Sequence, residues 1–292
     1  MEKENPMMRL LEGDVGSGKT VVAVIAMLNA ALNKKQSVLM APTEILAHQH
    51  FESIKKSLST TDLKIALLTA SEQRLSHPDP SARLKTGKKQ ISEMIKNGGV
   101  DIIIGTHALI QEKIGFKNLG LAIIDEQHRF GVEQRKKLIE KSNNKARTPH
   151  LLSMTATPIP RSLALVLYGD LDISILDEMP VGRKKVLTKI VPEEKRNDAY
   201  KFIRAQIESG RQIFVICPLI DISDKLGVKS AKEEYKKLNE KIFPDLKIGI
   251  LHGRMKSKEK EEIMKQFLEN KIKILVSTSV VEVGVDAPNA SI

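Results

Sequence analysis

LLEGDVGSGKT, residues 10–20, opens as a short apolar run, breaks into Gly13, Gly16 and Gly18, and ends on Lys19 and Thr20. It completes the pattern G-x-x-x-x-G-K-[ST] of a phosphate-binding loop. Glycines at these places let successive backbone N–H groups turn inward as a concave anion nest that side chains would obstruct. Asp14 and Ser17 belong to the same turn. Lys19 is placed to reach the β- and γ-phosphates of a nucleoside triphosphate, and Thr20 opens the next helix with a hydroxyl suited to holding Mg2+. The positive end of that helix's dipole faces the same phosphates. Residues 7–11 read as a buried strand and 21–32 as an apolar helix, so strand, loop and helix follow in the order this loop requires.

The bulk composition sets limits around this centre. At 292 residues, 41% hydrophobic and 28% charged, the chain is long enough for about two globular domains. Its single cysteine, Cys217, lies in the apolar run 213–217, which excludes a disulfide framework and a cysteine-rich zinc site and fits a reducing cytoplasm. No apolar segment approaches the roughly 18 residues a membrane helix needs, and the start MEKENPMM lacks the pattern of a signal peptide. A soluble cytoplasmic protein with no membrane partner is expected. The net charge of +11 points to a polyanionic partner, and residues 181–292 carry +7 of it.

Along the chain, apolar strand patterns alternate with helical ones. Strands are expected at 37–40, 64–68, 100–104, 121–124 and 151–154, and helices at 44–58, 82–96, 131–140 and 160–168, with Thr43 as the cap of the first of these. The β-branched runs have the fully buried character of parallel strands. After a strand-like stretch at 171–176, the polar segment DEMPVGRKK at 177–185 marks a domain boundary. Beyond it the alternation restarts, with strands at 186–191, 212–217, 247–251 and 272–276 and helices at 194–209, 230–241 and 257–268. The reading is α/β throughout: a doubly wound, mostly parallel domain over 1–180 and a second α/β domain over 181–292 without a phosphate loop of its own.

A second group carries chemistry. Asp125, Glu126, Gln127 and His128 directly follow a buried strand, and residues there lie at the carboxyl edge of a parallel sheet, where nucleotides bind. Asp125 can hold Mg2+ through its water shell, and Glu126 can orient or deprotonate the water that attacks the γ-phosphate. SMTATP at 153–158 again follows a strand, with hydroxyls at Thr155 and Thr157. Taken singly, each of these words also describes a helix cap or a turn, as do the later HGR at 252–254 and TSVVEVGVD at 278–286.

Their order on one chain is far more restrictive. GDVGSGKT, APTEIL, GTH, DEQH, TAT, HGR and VEVGVD over two α/β units resemble the helicase superfamily 2 motor. Within it, PTEILAHQH, IIDEQHRFGVEQR, MTATPIPR, HGRMK and EVGVDAPNA are similar to the RecG-type branched-DNA helicases over essentially the whole chain. The transcription-repair coupling translocase shares HRFG and TPIPR, but Ser17, Gln127 and Arg254 stand where it has Phe, Glu and Gln. The resemblance implies two RecA-like lobes and an ATP- and Mg2+-dependent enzyme. Gly13, Asp14, Gly16, Ser17, Gly18, Lys19 and Thr20 would bind the triphosphate, and Thr20 and Asp125 the metal. Glu126 would activate water, and Gln127, His128, Thr155 and Thr157 would couple hydrolysis to movement. Gly284 and Asp286 would meet the nucleotide from the second lobe. Thr43, Thr106, Arg254 and Thr278 match positions that touch the backbone phosphates of branched or forked DNA, contacts blind to sequence. A monomer is expected.

Two departures from the family pattern stand out. Only twelve residues precede Gly13, where the family has its adenine-reading segment, and the sequence stops at Ile292, before the segment that supplies the arginine finger. The family's wedge domain and translocation hairpin are missing as well. A motor portion with a second lobe incomplete at its C-terminus is therefore expected, binding nucleotide but turning it over weakly. A non-motor regulator switched by ATP binding, or a coupling-type translocase, remains open on the sequence. A metabolite kinase would leave HGRMK and EVGVD without a role.

Overall fold

The computed structural model describes residues 1, 5–76, 87–111, 114–131, 133–134, 137–138, 148–157, 171–178, 186–217, 231–278 and 287–292. The chain divides into two compact units, Met1–Arg183 and Lys184–Ile292. The helices expected at 131–140 and 160–168 fall largely or wholly outside the described residues, as does most of the segment 177–185. Among the described residues, no helix is long and apolar enough to cross a membrane.

In the first unit, β1 (Met8–Gly13), β2 (Gln36–Met40), β3 (Ile65–Leu68), β4 (Gln73–Ser76), β5 (Ile102–Gly105), β6 (Leu119–Ile124), β7 (His150–Thr155) and β8 (Asp172–Leu176) form one sheet in the order β4-β3-β5-β2-β6-β7-β1-β8. Every pairing is parallel except β3 with β4. The central strands are buried on both faces, with Val38, Leu39, Ile103, Ile104, Ile123 and Ile124 at 0% exposure. That burial is why they read as continuous apolar runs and not as alternations. The connecting helices are α1 (Lys19–Leu32), α2 (Glu44–Ser57), α3 (Lys88–Lys96) and the single turn α4 (Ala108–Gln111).

The antiparallel strand β4 was not expected from its sequence, QRLS. It is held from the side. Glu44, His48 and Glu52, four residues apart on α2, reach Ser71, Glu72 and Arg74 respectively. Spacing of four puts them on one helix face, so the helix supplies the polar lattice against which this edge strand lies.

The second unit has a parallel sheet in the order β10-β11-β9, built from β9 (Ile213–Ile216), β10 (Ile248–Leu251) and β11 (Ile274–Ser277). Helices α5 (Arg196–Glu208), α6 (Ala231–Lys237) and α7 (Ser257–Leu268) accompany it. The C-terminal residues run beside β9: Phe214 N–H donates to the Ile292 carbonyl at 2.8 Å and Gln212 N–H to that of Asn289 at 2.7 Å. The strand expected at 186–191 does not form. Val186, Leu187 and Ile190 are 75%, 80% and 96% exposed, and among the described residues no strand pairs with them. A run rich in β-branched residues cannot hold an extended segment without a neighbour to accept its ladder.

Each unit has a buried fastening of the same kind within it. Gln36, just ahead of the central part of β2, donates from Nε2 to the carbonyls of Ile95 at 3.0 Å and Val100 at 2.9 Å, the end of α3 and the approach to β5. Gln212, just ahead of β9, does the same to Phe267 at 2.5 Å and Ile272 at 2.8 Å, the end of α7 and the approach to β11. Each amide adds a bond to a carbonyl in the last turn of a helix, which also accepts a backbone N–H, and makes another to the carbonyl just ahead of the next strand.

Candidate active site

Strand order brings the expected groups to one edge. Moving along the carboxyl ends of the first sheet, Thr106 follows β5, Thr43 follows β2, Asp125 follows β6, Thr155 ends β7, and the glycine loop leaves β1. Two strand spacings separate β1 from β6, about 10 Å, a gap that a triphosphate with its metal can span.

The loop has the geometry of an anion nest. Gly16 and Gly18 have φ of 82° and 98°, values open to glycine at little expense, and α1 begins immediately after Gly18. Gly13 is required for a different reason: a Cβ there would sit 2.5 Å from Ser17 Oγ and 3.1 Å from the Leu176 carbonyl oxygen. Lys19 Nζ folds back over the loop and donates to the carbonyls of Gly13 at 2.5 Å and Asp14 at 2.9 Å. Burial holds its ammonium below the ordinary value, against the opposing pull of Asp125, Glu126 and Asp14. That pull accords with the strand order, which sets the glycine loop and the acidic pair at one edge of the sheet.

Asp125 and Glu126 are each 8% exposed. The Asp125 N–H donates to the Met40 carbonyl at 2.9 Å, tying the residue to the neighbouring strand. Glu126 has φ 49°, a left-handed backbone that stores about 1–3 kcal/mol of strain and gathers at functional sites. Burial, then the charge of Asp125, raises the Glu126 carboxyl above its ordinary value, while the Ala156 N–H, His128 and Lys19 draw it back. Ala156 N donates to Glu126 Oε2 at 3.5 Å, and His128 Nδ1 stands 3.6 Å from the same oxygen. A carboxylate moved toward neutrality is a stronger base. Thr155 and Thr157 bond each other through their hydroxyls at 2.9 Å, which closes the TAT turn on itself.

Several buried polar atoms here have no hydrogen-bond partner among the described residues: Ser17 Oγ and both amide atoms of Gln127. Such atoms are normally satisfied, so a polar ligand fits the place. The candidate donors, the two carboxylates and the Thr20 hydroxyl at the start of α1, are of the oxygen type that Mg2+ takes.

Thr43 caps α2, its hydroxyl oxygen accepting from Leu46 N–H at 3.3 Å. Thr106 and, in the second unit, Thr278 are buried at 8% and 4% exposure, whereas Arg254 is exposed. Gly284 and Asp286 lie outside the described residues. One participant escaped the sequence reading: His50 Nε2 lies 2.7 Å from Asp125 Oδ2. Its signal was a polar residue within the apolar stripe Leu46, Ala47, Phe51 and Ile54 of α2.

Comparison with known proteins gives the family. Residues 3–166 match the DEAD/DEAH box helicase family, and residues 194–292 match the helicase conserved C-terminal domain. The whole chain is 49% identical to the ATP-dependent DNA helicase RecG of Synechocystis sp., covering 33% of that protein, and 49% identical to that of Thermotoga maritima, covering 36%. It is 44% identical to RecG of Escherichia coli O157:H7, covering 40%. The chain thus spans between a third and two fifths of the length of these relatives. Among solved structures, RecG bound to a three-way DNA junction superposes with a TM-score of 0.74 at 45% identity, over 99% of this chain and 35% of that one. Dbp5 of S. cerevisiae, at 17% identity and a TM-score of 0.68 over 98% of this chain and 70% of that one, shares the fold. With the glycine loop and the acidic pair on one edge of a parallel sheet, and the match spanning 3–166, the chain belongs to the DEAD/DEAH box helicase family.

Proposed function

We propose that this chain is the ATP-driven motor of a RecG-type helicase that remodels branched DNA such as stalled forks and junctions, acting as a monomer in the cytoplasm. The observation that carries the reading is the strand order that sets the glycine loop and the Asp125–Glu126 pair at the carboxyl ends of strands two apart in one parallel sheet, in a chain that aligns along its full length with RecG proteins.

In this reading the N–H groups of the loop and the end of α1 receive the phosphates. Lys19 leaves its two carbonyl partners for the β- and γ-phosphate oxygens. Thr20 and Asp125 hold the metal, and Mg2+ when bound supplies charge neutralisation at the leaving phosphate. Glu126 takes the proton of the attacking water, helped by its raised basicity. The Gln127 amide, unpartnered among the described residues, is available to hydrogen-bond a bound polar ligand. In the second unit, Gly284 and Asp286 complete the nucleotide contacts. Thr43, Thr106, Arg254 and Thr278 grip DNA phosphates, a mode suited to a motor that must release and regrip any sequence.

The roles are separable. Lys19→Ala is expected to abolish binding of a fluorescent ATP analogue. Glu126→Gln, which removes a base but no phosphate ligand, is expected to bind it as the parent does while single-turnover cleavage slows by about 100-fold or more. Equal loss of binding in both variants would overturn the assignment, as would cleavage by Glu126→Gln at the parent rate.

A further inference from the structure

The Asp125 carboxylate is held at both oxygens. Its Oδ1 accepts the N–H of Glu126 at 3.0 Å, and Oδ2 lies 2.7 Å from Nε2 of His50. An ionised carboxylate only accepts hydrogen bonds, so Nε2 carries the proton and donates it. His50 is 8% exposed and stands on the buried face of α2, between Ala47 and Phe51. That is a place where the helix pattern calls for an apolar side chain. Burying an imidazole there is unfavourable unless it is hydrogen-bonded, and the bond it makes goes to the acidic site.

We propose that His50 is the positioning residue of Asp125: its Nε2–H fixes the rotation of the carboxylate so that a defined oxygen lone pair faces the divalent cation. With the Glu126 N–H on one oxygen and His50 on the other, the carboxylate plane has no freedom to turn. Without His50, only the single bond to Oδ1 restrains it. Partners of this kind, one step removed from the ion, orient the ligand and typically change metal affinity by about 10–100-fold. The inference rests on Asp125 holding the metal, as proposed above.

The test uses the 292-residue chain with a non-hydrolysable ATP analogue and Mn2+, whose free and bound forms are distinguished by electron paramagnetic resonance. His50→Leu keeps the helix face apolar and removes the donor. Its Mn2+ affinity is expected to fall by about tenfold or more. His50→Gln places an amide N–H close to where Nε2 stood and is expected to restore most of that affinity. His50→Asn keeps the polarity but falls short of Asp125, so it is expected to behave as His50→Leu does, and it serves if the leucine variant misfolds. Parent-like Mn2+ affinity in His50→Leu or His50→Asn, with affinity lost in Asp125→Asn, would overturn the role of His50 alone. Parent-like affinity in Asp125→Asn would overturn the metal assignment beneath it. A purely structural role for His50 would lower the melting temperature in all three His50 variants without separating glutamine from asparagine, and would equally overturn the proposal.

Discussion

Gly13→Ala tests whether the phosphate loop is shaped by close packing or by backbone freedom alone. The new Cβ would lie 2.5 Å from Ser17 Oγ, 3.0 Å from Leu176 Cβ and 3.1 Å from the Leu176 carbonyl oxygen. Reaching the closest separation real Cβ atoms show, 3.0 Å, means a retreat of about 0.5 Å from the serine hydroxyl. The residue has little room for it, because Gly13 pairs in register with Leu176 on β8 and the preceding Glu12 with Thr155 on β7. Overpacking of this kind costs about 1–3 kcal/mol. Ser17 Oγ can swing aside, since it holds no hydrogen bond, so the lower half of that range applies. About 1–2 kcal/mol corresponds to roughly 5–30-fold weaker nucleotide binding if the loop bears the distortion. A double-mutant cycle isolates the cause: in the Ser17→Ala background the 2.5 Å contact is gone, and the effect of Gly13→Ala should shrink by about 1 kcal/mol. The assay is equilibrium titration with a fluorescent ATP analogue. If Ser17→Ala leaves the Gly13→Ala effect unchanged, the steric account is wrong.

Two further perturbations address the frame around the site. Gly105→Ala would drive a Cβ into the Leu68 carbonyl oxygen of the adjacent strand, with Leu109 Cγ at 2.9 Å behind it. Backbone cannot yield as a side chain can, so a loss near 3 kcal/mol, about 6–12 °C in melting temperature, is expected; Gly131→Ala, with nothing within 4 Å, should leave the melting temperature nearly unchanged, and equal shifts would refute the packing reading. His150 accepts the Met7 N–H on Nδ1 at 2.8 Å, and burial, then the amino-terminal charge, holds its folded-state pKa below the ordinary 6.5. The unfolded chain therefore takes up the proton first, and stability is lost as pH falls through 6.5 toward the lower folded value. His150→Asn keeps an acceptor that does not titrate, so its melting temperature should fall less on acidification; identical pH dependence in parent and variant would contradict this.

Much of the sheet edge that carries the candidate site was legible because its physics is local. An anion nest needs glycines at fixed spacing, and Gly16 and Gly18 take up the positive φ that spacing implies. Strands buried on both faces must be apolar throughout, which is why 100–104 and 121–124 announced themselves as β5 and β6. What escaped is set by partners distant in sequence. β4 has no apolar signature and exists because β3 and a row of α2 side chains hold it. Residues 186–191 have the β-branched composition of a strand, and among the described residues no strand lies beside them. His50 looked like an interruption of a helix stripe, and only the fold reveals Asp125, 75 residues away, as its reason.

The equivalence of the two units bears on the proposed DNA contacts. In the first, β5 lies between β2 and β3, with Ser37 and Ile65 both opposite Ile102; in the second, β11 lies between β9 and β10, with Ile213 and Ile248 both opposite Ile274. The hydrogen bonds at the strand starts also correspond: Ser37 N–H donates to the Asp101 carbonyl at 2.9 Å, as Ile213 N–H does to that of Lys273 at 3.0 Å. At the other end Ala41 N–H donates to the Gly105 carbonyl at 2.8 Å, as Cys217 N–H does to that of Ser277 at 2.7 Å. The register places Gly105 opposite Leu68 and Ser277 opposite Leu251, which makes Thr106 and Thr278 the next residues on matching strands. The intervening segments differ in length and composition, so no sequence spacing exposes this. Both threonines leave a buried central strand at its carboxyl end, each with its unit's buried glutamine fastening the opposite end. Under the DNA contacts proposed above, threonines leaving matching strand ends would offer each unit the same kind of sequence-blind phosphate contact.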